Sequence, residues 1–259
     1  MKIGVVGAGH MGQWVIRQLA ADHEIVAYDM APVDHICRDR VEWVATLADV
    51  AGAGPEVLVN AVSLQKTLAL FHALVPLLPK ACVIGDLASV KHEVVGYYAT
   101  TGRPFFSIHP LFGPTFANLE ALSRENAIVI AESDPRAKAL FVHLFARLGV
   151  KVFECTFQEH DAMMAYSLTT PFVATLVFAS CVDQTAVPGT TFGRHMKIAK
   201  GLLAEDDHLL SEILFNPHSL RQLEQMTSKL EFLKHVIRAR DTGEMQRLFA
   251  KLRANIVES

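Results

Sequence analysis

Lys2-Ile-Gly-Val-Val-Gly-Ala-Gly-His-Met-Gly12 opens the chain, and its last six residues (Gly7, Ala8, Gly9, His10, Met11, Gly12) spell GxGxxG. The pattern follows directly on a β-branched run, Lys2–Val6, and leads into an amphipathic helical pattern from His10 to Ala21. Strand, glycine turn and helix in that order form the setting in which such glycines hold a dinucleotide. Gly7 permits the tight turn. Gly9 lets the backbone approach a pyrophosphate seated on the helix N-terminus, and Gly12 lets helix and strand pack closely. The second apolar run, Glu24–Tyr28, ends at Asp29, seventeen residues after Gly12. A carboxylate there accepts hydrogen bonds from an adenosine ribose and repels a 2′-phosphate. Met30, Ala31 and Pro32 follow with no adjacent arginine, so NAD rather than NADP is the expected cofactor.

Outward from this turn, short apolar runs alternate with helical patterns. Further strands are expected at Val57–Ala61, Cys82–Asp86, Phe105–Ile108, Ala127–Ile130 and Val150–Glu154. Helices are expected near Lys66–Leu78, Val90–Thr101 and Pro135–Leu148. The runs are continuously apolar, as in strands covered on both faces, and the alternation predicts a parallel, doubly wound α/β sheet. After Cys155 the strand signals stop. Thr156-Phe-Gln-Glu159 matches a capping box, which predicts a helix running to about Ala186. Pro171 lies inside it and removes the partner of the Ser167 carbonyl, so a kink is expected. Further helices fit Thr191–Leu203, Asp206–Phe215, Ser219–Arg240 and Glu244–Ile256. The expected division is an α/β domain over residues 1–155 and an all-helical domain over 156–259.

Composition narrows the function classes. Of 259 residues, 24 are Lys or Arg and 27 Asp or Glu, a formal net charge of −3. That balance argues against a nucleic-acid-binding surface, which needs a clustered basic excess. Hydrophobic residues make up 51% and charged residues 20%, enough apolar surface to exclude bulk disorder. Cys37, Cys82, Cys155 and Cys181 lie far apart and read as buried thiols, neither a disulfide framework nor a metal site. The apolar opening is short, glycine-broken and without an A-x-A-like cleavage site, so a cytoplasmic location is expected. Ala162–Val182 runs twenty-one residues without a charge, long enough to span a bilayer. Its six Ser, Thr and Pro residues, its flanking Asp161 and Asp183, and the absence of basic flanks favour a helix buried in a core or a dimer interface.

Three later segments carry candidate chemistry. Asp86-Leu-Ala-Ser89-Val-Lys91 follows an expected strand at the carboxyl end of the sheet, where ligands of such folds bind. Ser89 reads as an N-cap for a helix starting at Val90 or as a hydroxyl presented to a ligand, and Lys91 as a solvated first-turn residue. His109 ends the next strand beside the rigid Pro110–Pro114 stretch, where an imidazole is suited to accept a proton near neutral pH. His160-Asp161 opens the long helix, with Asp161 favoured by the helix dipole. Ser167, Thr169 and Thr170 form a hydroxyl cluster at the kink, facing a cleft or bonding back to their own helix. Arg194, Lys197 and Lys200 roughly share one helical face, as a solvated face or as a hold for an anionic substrate.

Together, GAGHMG at 7–12, DLASVK at 86–91, IHPLFGP at 108–114 and HDAMMAYSLTTPF at 160–172 resemble the prephenate/arogenate dehydrogenase family of tyrosine biosynthesis. The resemblance spans almost the whole chain. It implies an N-terminal Rossmann-type domain and a helical domain that forms an intertwined homodimer, with Ala162–Val182 in the dimer core. It implies that His109 is the catalytic histidine and Ser89 the serine bonding both that histidine and the substrate hydroxyl. It places Thr169, Thr170, Arg194 and Lys197 on the substrate side. Phe172 stands where family members often carry a histidine, and the carboxylate-binding arginine has no direct match, Lys197 falling nearest. The implied reaction is NAD-dependent oxidative decarboxylation of prephenate or L-arogenate. Two alternatives stay open: another small NAD(P) dehydrogenase, such as a 3-hydroxyacid or imine reductase, and a non-catalytic NAD-binding regulator. Against the first, no lysine occurs between Phe157 and Pro188.

Overall fold

The computed structural model describes residues 1–31, 36–112, 122–183 and 187–257. Its first part consists of β1 (Lys2–Val6), α1 (His10–Leu19), β2 (Glu24–Tyr28), β3 (Val41–Trp43), α2 (Leu47–Gly52), β4 (Val57–Asn60) and α3 (Leu64–Leu74). It continues through β5 (Val83–Asp86), α4 (His92–Thr101), β6 (Phe105–Pro110), β7 (Asn126–Ile130), α5 (Pro135–Arg147) and β8 (Lys151–Cys155). The strands join one eight-stranded sheet in the order β3-β2-β1-β4-β5-β6-β7-β8. The order reverses between β1 and β4, which opens a crevice at their carboxyl ends.

Alternate residues of each strand feed two cores. Ile3, Val5, Val57 and Val59 pack with Trp14, Phe141 and Phe145 from α1 and α5. Leu58 and Ile84 pack on the other face with Phe71, Leu74 and Val94 from α3 and α4. Burial on both faces explains why the strands read as continuous apolar runs. This is the doubly wound, Rossmann-type sheet expected, with one correction to the parallel arrangement. β7 runs antiparallel to β6, and β8 parallel to β7. β7 therefore starts at the edge of the sheet where β6 ends, beside His109.

Two elements were not foreseen. β3 is three residues long, and α2 carries a Thr46–Asp49 capping box that a Thr-x-x-Asp search would have flagged. Other departures lie at element ends: β6 runs on through His109 and Pro110, and Val75–Leu77, containing Pro76, tightens into a 3-10 turn after α3. The four cysteines form no disulfide among the described residues. Cys82 and Cys155 are buried as expected, but Cys37 and Cys181 are exposed, because each lies at a turn rather than on a core-facing element.

Beyond β8 the described chain is helical: α6 (Phe157–Met164), a π turn (Ala165–Thr169), α7 (Thr170–Ser180), α8 (Thr190–Leu202), α9 (Asp207–Leu214), α10 (Ser219–Ala239) and α11 (Thr242–Val257). The Thr156–Glu159 capping box forms in both directions, Glu159 N–H to Thr156 Oγ1 at 3.2 Å and Thr156 N–H to Glu159 Oε2 at 2.8 Å. Where a kink is expected, the helix carries a π turn that ends two residues before Pro171, a register change that accommodates the missing N–H. Phe157–Ser180 is long and apolar enough to cross a membrane by length and composition, with 17% of its most apolar window buried. No residue of α7 is buried, so within one chain the expected all-round burial is absent. The helix ends at Ser180, and residues 184–186 of its expected extension lie outside the described set. His92 on α4 meets Glu212 on α9 at 3.2 Å, and Asn216 Nδ2 donates to the Asp161 carbonyl at 3.0 Å, tying α6 to the α9–α10 connection.

Candidate active site

The crevice between β1 and β4 holds a cavity of about 530 Å³, lined by Gly7, Gly9, Asp29 and Met30 and by the apolar Leu47, Val62 and Leu70. Each glycine of the turn has its own physical reason. Gly7 has φ of 95°, and a Cβ there would lie 2.6 Å from the Ala61 backbone. A Cβ on Gly12 would lie 1.9 Å from the Gly7 carbonyl oxygen, so α1 could not seat against the turn. Gly9 is different, because a Cβ there meets nothing within 4 Å. The fold does not need glycine at that position, whereas a ligand approaching the backbone does. Gly9 is also the N-cap of α1 and has no side-chain cap, which leaves amide donors for an anion. His10 and Met11 form the first turn of α1. A dinucleotide pyrophosphate fits this arrangement.

Asp29 does more than end β2. Its Oδ2 accepts the Ala8 N–H at 2.6 Å and its Oδ1 the Ala31 N–H at 2.8 Å. The carboxylate therefore pins the glycine turn to the end of β2.

The second part of the site lies two strands away, at the carboxyl ends of β5 and β6. His109 sits on β6, buried, opposite Ile128 of β7. Its Nδ1 lies 3.1 Å from Nε2 of His160, and Nδ1 of His160 lies 3.1 Å from Oδ1 of Asp161. The carboxylate accepts only, so His160 Nδ1 carries the proton and its Nε2 is the acceptor. His109 Nδ1 then donates, and His109 Nε2 keeps its lone pair. The chain Asp161–His160–His109 fixes the tautomer that makes His109 a base. Burial, then the neighbouring His160 and Lys91, hold His109 well below the usual histidine range. Burial likewise lowers His160, and Asp161 partly opposes it.

Beneath this chain lies a buried polar knot. Lys91 is wholly buried, and its Nζ donates to Asp86 Oδ2 and, at 2.8 Å, to the carbonyl of Ile108, the residue before His109. Tyr98 donates to Asp86 Oδ1 at 2.8 Å, and the Ala88 N–H to Oδ2 at 3.0 Å. Burial pulls Lys91 below the ordinary lysine range against the pull of Asp86. Lys91 is thus no solvated first-turn residue. The helix starts at His92 rather than Val90, and Lys91 reaches inward to the only buried carboxylate among the described residues.

Ser89 lies half-buried in the same loop and caps no helix, since α4 has Lys91 as N-cap with no side-chain bond. No hydrogen bond joins Ser89 to His109 among the described residues, where His109 Nδ1 is taken by His160 and Nε2 is left open. Thr169 is buried, and its hydroxyl pairs with Ser219 Oγ at 2.7 Å, a contact that seats the π turn on α10. Thr170 is half-buried at the head of α7. Arg194 and Lys197 are exposed on α8, which packs on α7. Gly113 and Pro114 lie outside the described residues. Sequence reasoning placed His160-Asp161 at the helix start but did not connect them to His109. It also missed Lys66, which lines the same cavity as Gly7, Gly9 and Asp29 from α3.

No protein-family model matches the chain. It is similar to the T-protein of Enterobacter agglomerans, 23% identical over 224 residues, covering 83% of this chain and 56% of that protein. It is also similar to the T-protein of Haemophilus influenzae, 27% identical over 171 residues, covering 64% and 41%. The chain thus spans about half the length of the curated relatives it matches. Among solved structures, a prephenate dehydrogenase from A. aeolicus in complex with hydroxyphenyl propionate and NAD+ matches with a TM-score of 0.85, 18% identity and 100% and 98% of the two chains covered. An arogenate dehydrogenase from Synechocystis matches with a TM-score of 0.79, 20% identity and 100% and 99% covered. The chain has the fold of these dehydrogenases.

Proposed function

We propose that this chain is an NAD-dependent dehydrogenase of tyrosine biosynthesis, acting on prephenate or L-arogenate by oxidative decarboxylation. The observation that carries the reading is the Asp161–His160–His109 chain, which leaves a neutral, lone-pair-bearing imidazole nitrogen at the carboxyl end of the sheet, near the dinucleotide crevice. Residues 1–155 would form the cofactor-binding unit and 156–259 the substrate and dimerisation unit.

The substrate ring carries a hydroxyl and a hydrogen on one carbon. His109 Nε2 takes the hydroxyl proton as the C–H electron pair departs as hydride. Loss of the ring carboxylate as CO₂ then makes the ring aromatic. NAD, when bound, supplies the hydride acceptor. The open Gly9 face and the uncapped start of α1 would hold its pyrophosphate, and Asp29 its adenosine ribose. Asp161 and His160 set the tautomer of His109, and the Lys91–Asp86 pair holds the strand end that carries it. Ser89 would orient the substrate hydroxyl from the β5–α4 loop. Arg194 and Lys197 would supply positive charge for the substrate carboxylate.

A homodimer completes the proposal. No residue of α7 is fully buried within one chain, and Val177 on α7, Leu220, Leu223 and Leu230 on α10 and Phe249 on α11 are exposed. Apolar surface of that extent calls for a partner, and a second copy of the same helices supplies it. In the enzymatic test, the purified chain is mixed with NAD and prephenate, or with NAD and arogenate, and NADH absorbance is followed. Absence of turnover with both substrates would overturn the reading.

A further inference from the structure

Lys66 shares the dinucleotide cavity with Asp29, although it lies outside the glycine motif and more than thirty residues further along the chain. It projects from the first turn of α3, and its Nζ lies 3.6 Å from Sδ of Met30, the residue that follows Asp29. Lys66 is exposed at the cavity mouth and takes part in no ion pair among the described residues. Asp29 is held in place by the Ala8 and Ala31 amides. An adenosine seated at the end of β2 therefore finds a fixed anion and, across Met30, a cation lining the same cavity. A ribose 2′-hydroxyl needs only the anion. A 2′-phosphate would be repelled by the anion and attracted by the cation, and the two effects oppose each other at short range.

We propose that Lys66 is a latent anchor for an adenosine 2′-phosphate, so that the preference for NAD over NADP rests on Asp29 alone. The inference depends on the cavity being the adenosine subsite, as the proposed function has it. An Asp29→Asn substitution removes the repulsion while its amide oxygen still accepts one of the backbone N–H groups. Lys66 then meets the phosphate unopposed.

The test is calorimetric binding of 5′-AMP and adenosine 2′,5′-bisphosphate to the full chain. It compares the unaltered protein, Asp29→Asn and Asp29→Asn/Lys66→Met. The quantity read is the ratio of the bisphosphate affinity to the AMP affinity. It should rise about tenfold or more in Asp29→Asn, fall back in the double variant, and rise less as salt is added, as an exposed ion pair requires. A ratio unmoved by Asp29→Asn, or a gain that survives loss of Lys66, overturns the inference while AMP binding leaves the subsite reading intact. Failure of the unaltered chain to bind AMP or NAD overturns both. Should Asp29→Asn not fold, Lys66→Glu alone decides: the ratio should fall about tenfold, and an unchanged ratio refutes the anchor.

Discussion

Replacing Lys91 by Met tests whether the buried knot beneath His109 holds the site together. Lys91 and Asp86 are both wholly buried. Removing one partner of a buried ion pair typically costs about 3–5 kcal/mol, because the remaining charge is left uncompensated. Met keeps most of the aliphatic stem, so no large cavity opens. Asp86 keeps the Tyr98 hydroxyl at 2.8 Å and the Ala88 amide at 3.0 Å, which softens the loss. The Ile108 carbonyl loses its lysine donor, which adds roughly 1 kcal/mol. The expected total is about 3–4 kcal/mol at pH 7, a melting temperature lower by about 6–16 °C for a chain of this size. Urea unfolding of Lys91→Met and of the double variant Asp86→Asn/Lys91→Met measures it. The double variant carries no buried charge and should recover about 1–2 kcal/mol of the loss. A Lys91→Met loss below about 1 kcal/mol, or a double variant no more stable than the single one, would refute the assignment of the knot as a charge-compensated support.

The other predictions concern the histidine chain, the glycine turn and assembly. His109→Asn should lower kcat by about 10²- to 10⁴-fold with little change in NAD affinity, measured by steady-state rates and by calorimetry. Because burial holds His109 and His160 neutral, the acid limb of kcat/KM should lie below pH 6.5. The unfolded chain takes up protons below about pH 6.5 while the folded one resists, so stability should be full above that pH and decline as pH falls, in a urea-unfolding series. Gly9→Ala should cost the fold no more than about 1 kcal/mol, the loss of a favoured N-cap residue, yet weaken NAD binding, whereas Gly12→Ala should destabilise the fold by more, since only the latter Cβ strikes backbone. Sedimentation should show a dimer at micromolar concentration that Val177→Glu dissociates, and a fully active monomer would defeat the assembly proposed.

The sequence by itself determined the glycine turn, the two-sided sheet and the switch to helices after Cys155. Those features are local. Six consecutive residues set the turn geometry, and burial on both faces leaves an apolar signature on each strand whatever its neighbours. Tertiary structure alone decided the rest. An antiparallel strand buried on both faces has the same composition as a parallel one, so the direction of β7 was invisible. β3 spans three residues, too few for a periodic pattern. Lys91 looked solvated because a charge two residues after Ser89 fits the first turn of a helix. Its partner Asp86 becomes its neighbour only when the loop folds back over the end of β5. His160 lies 51 residues from His109 in sequence and 3.1 Å away in space. No local pattern encodes that pairing, because the sheet's carboxyl edge and the first turn of α6 meet only when the helices dock. The same docking turns a histidine at a strand end into a base of defined tautomer.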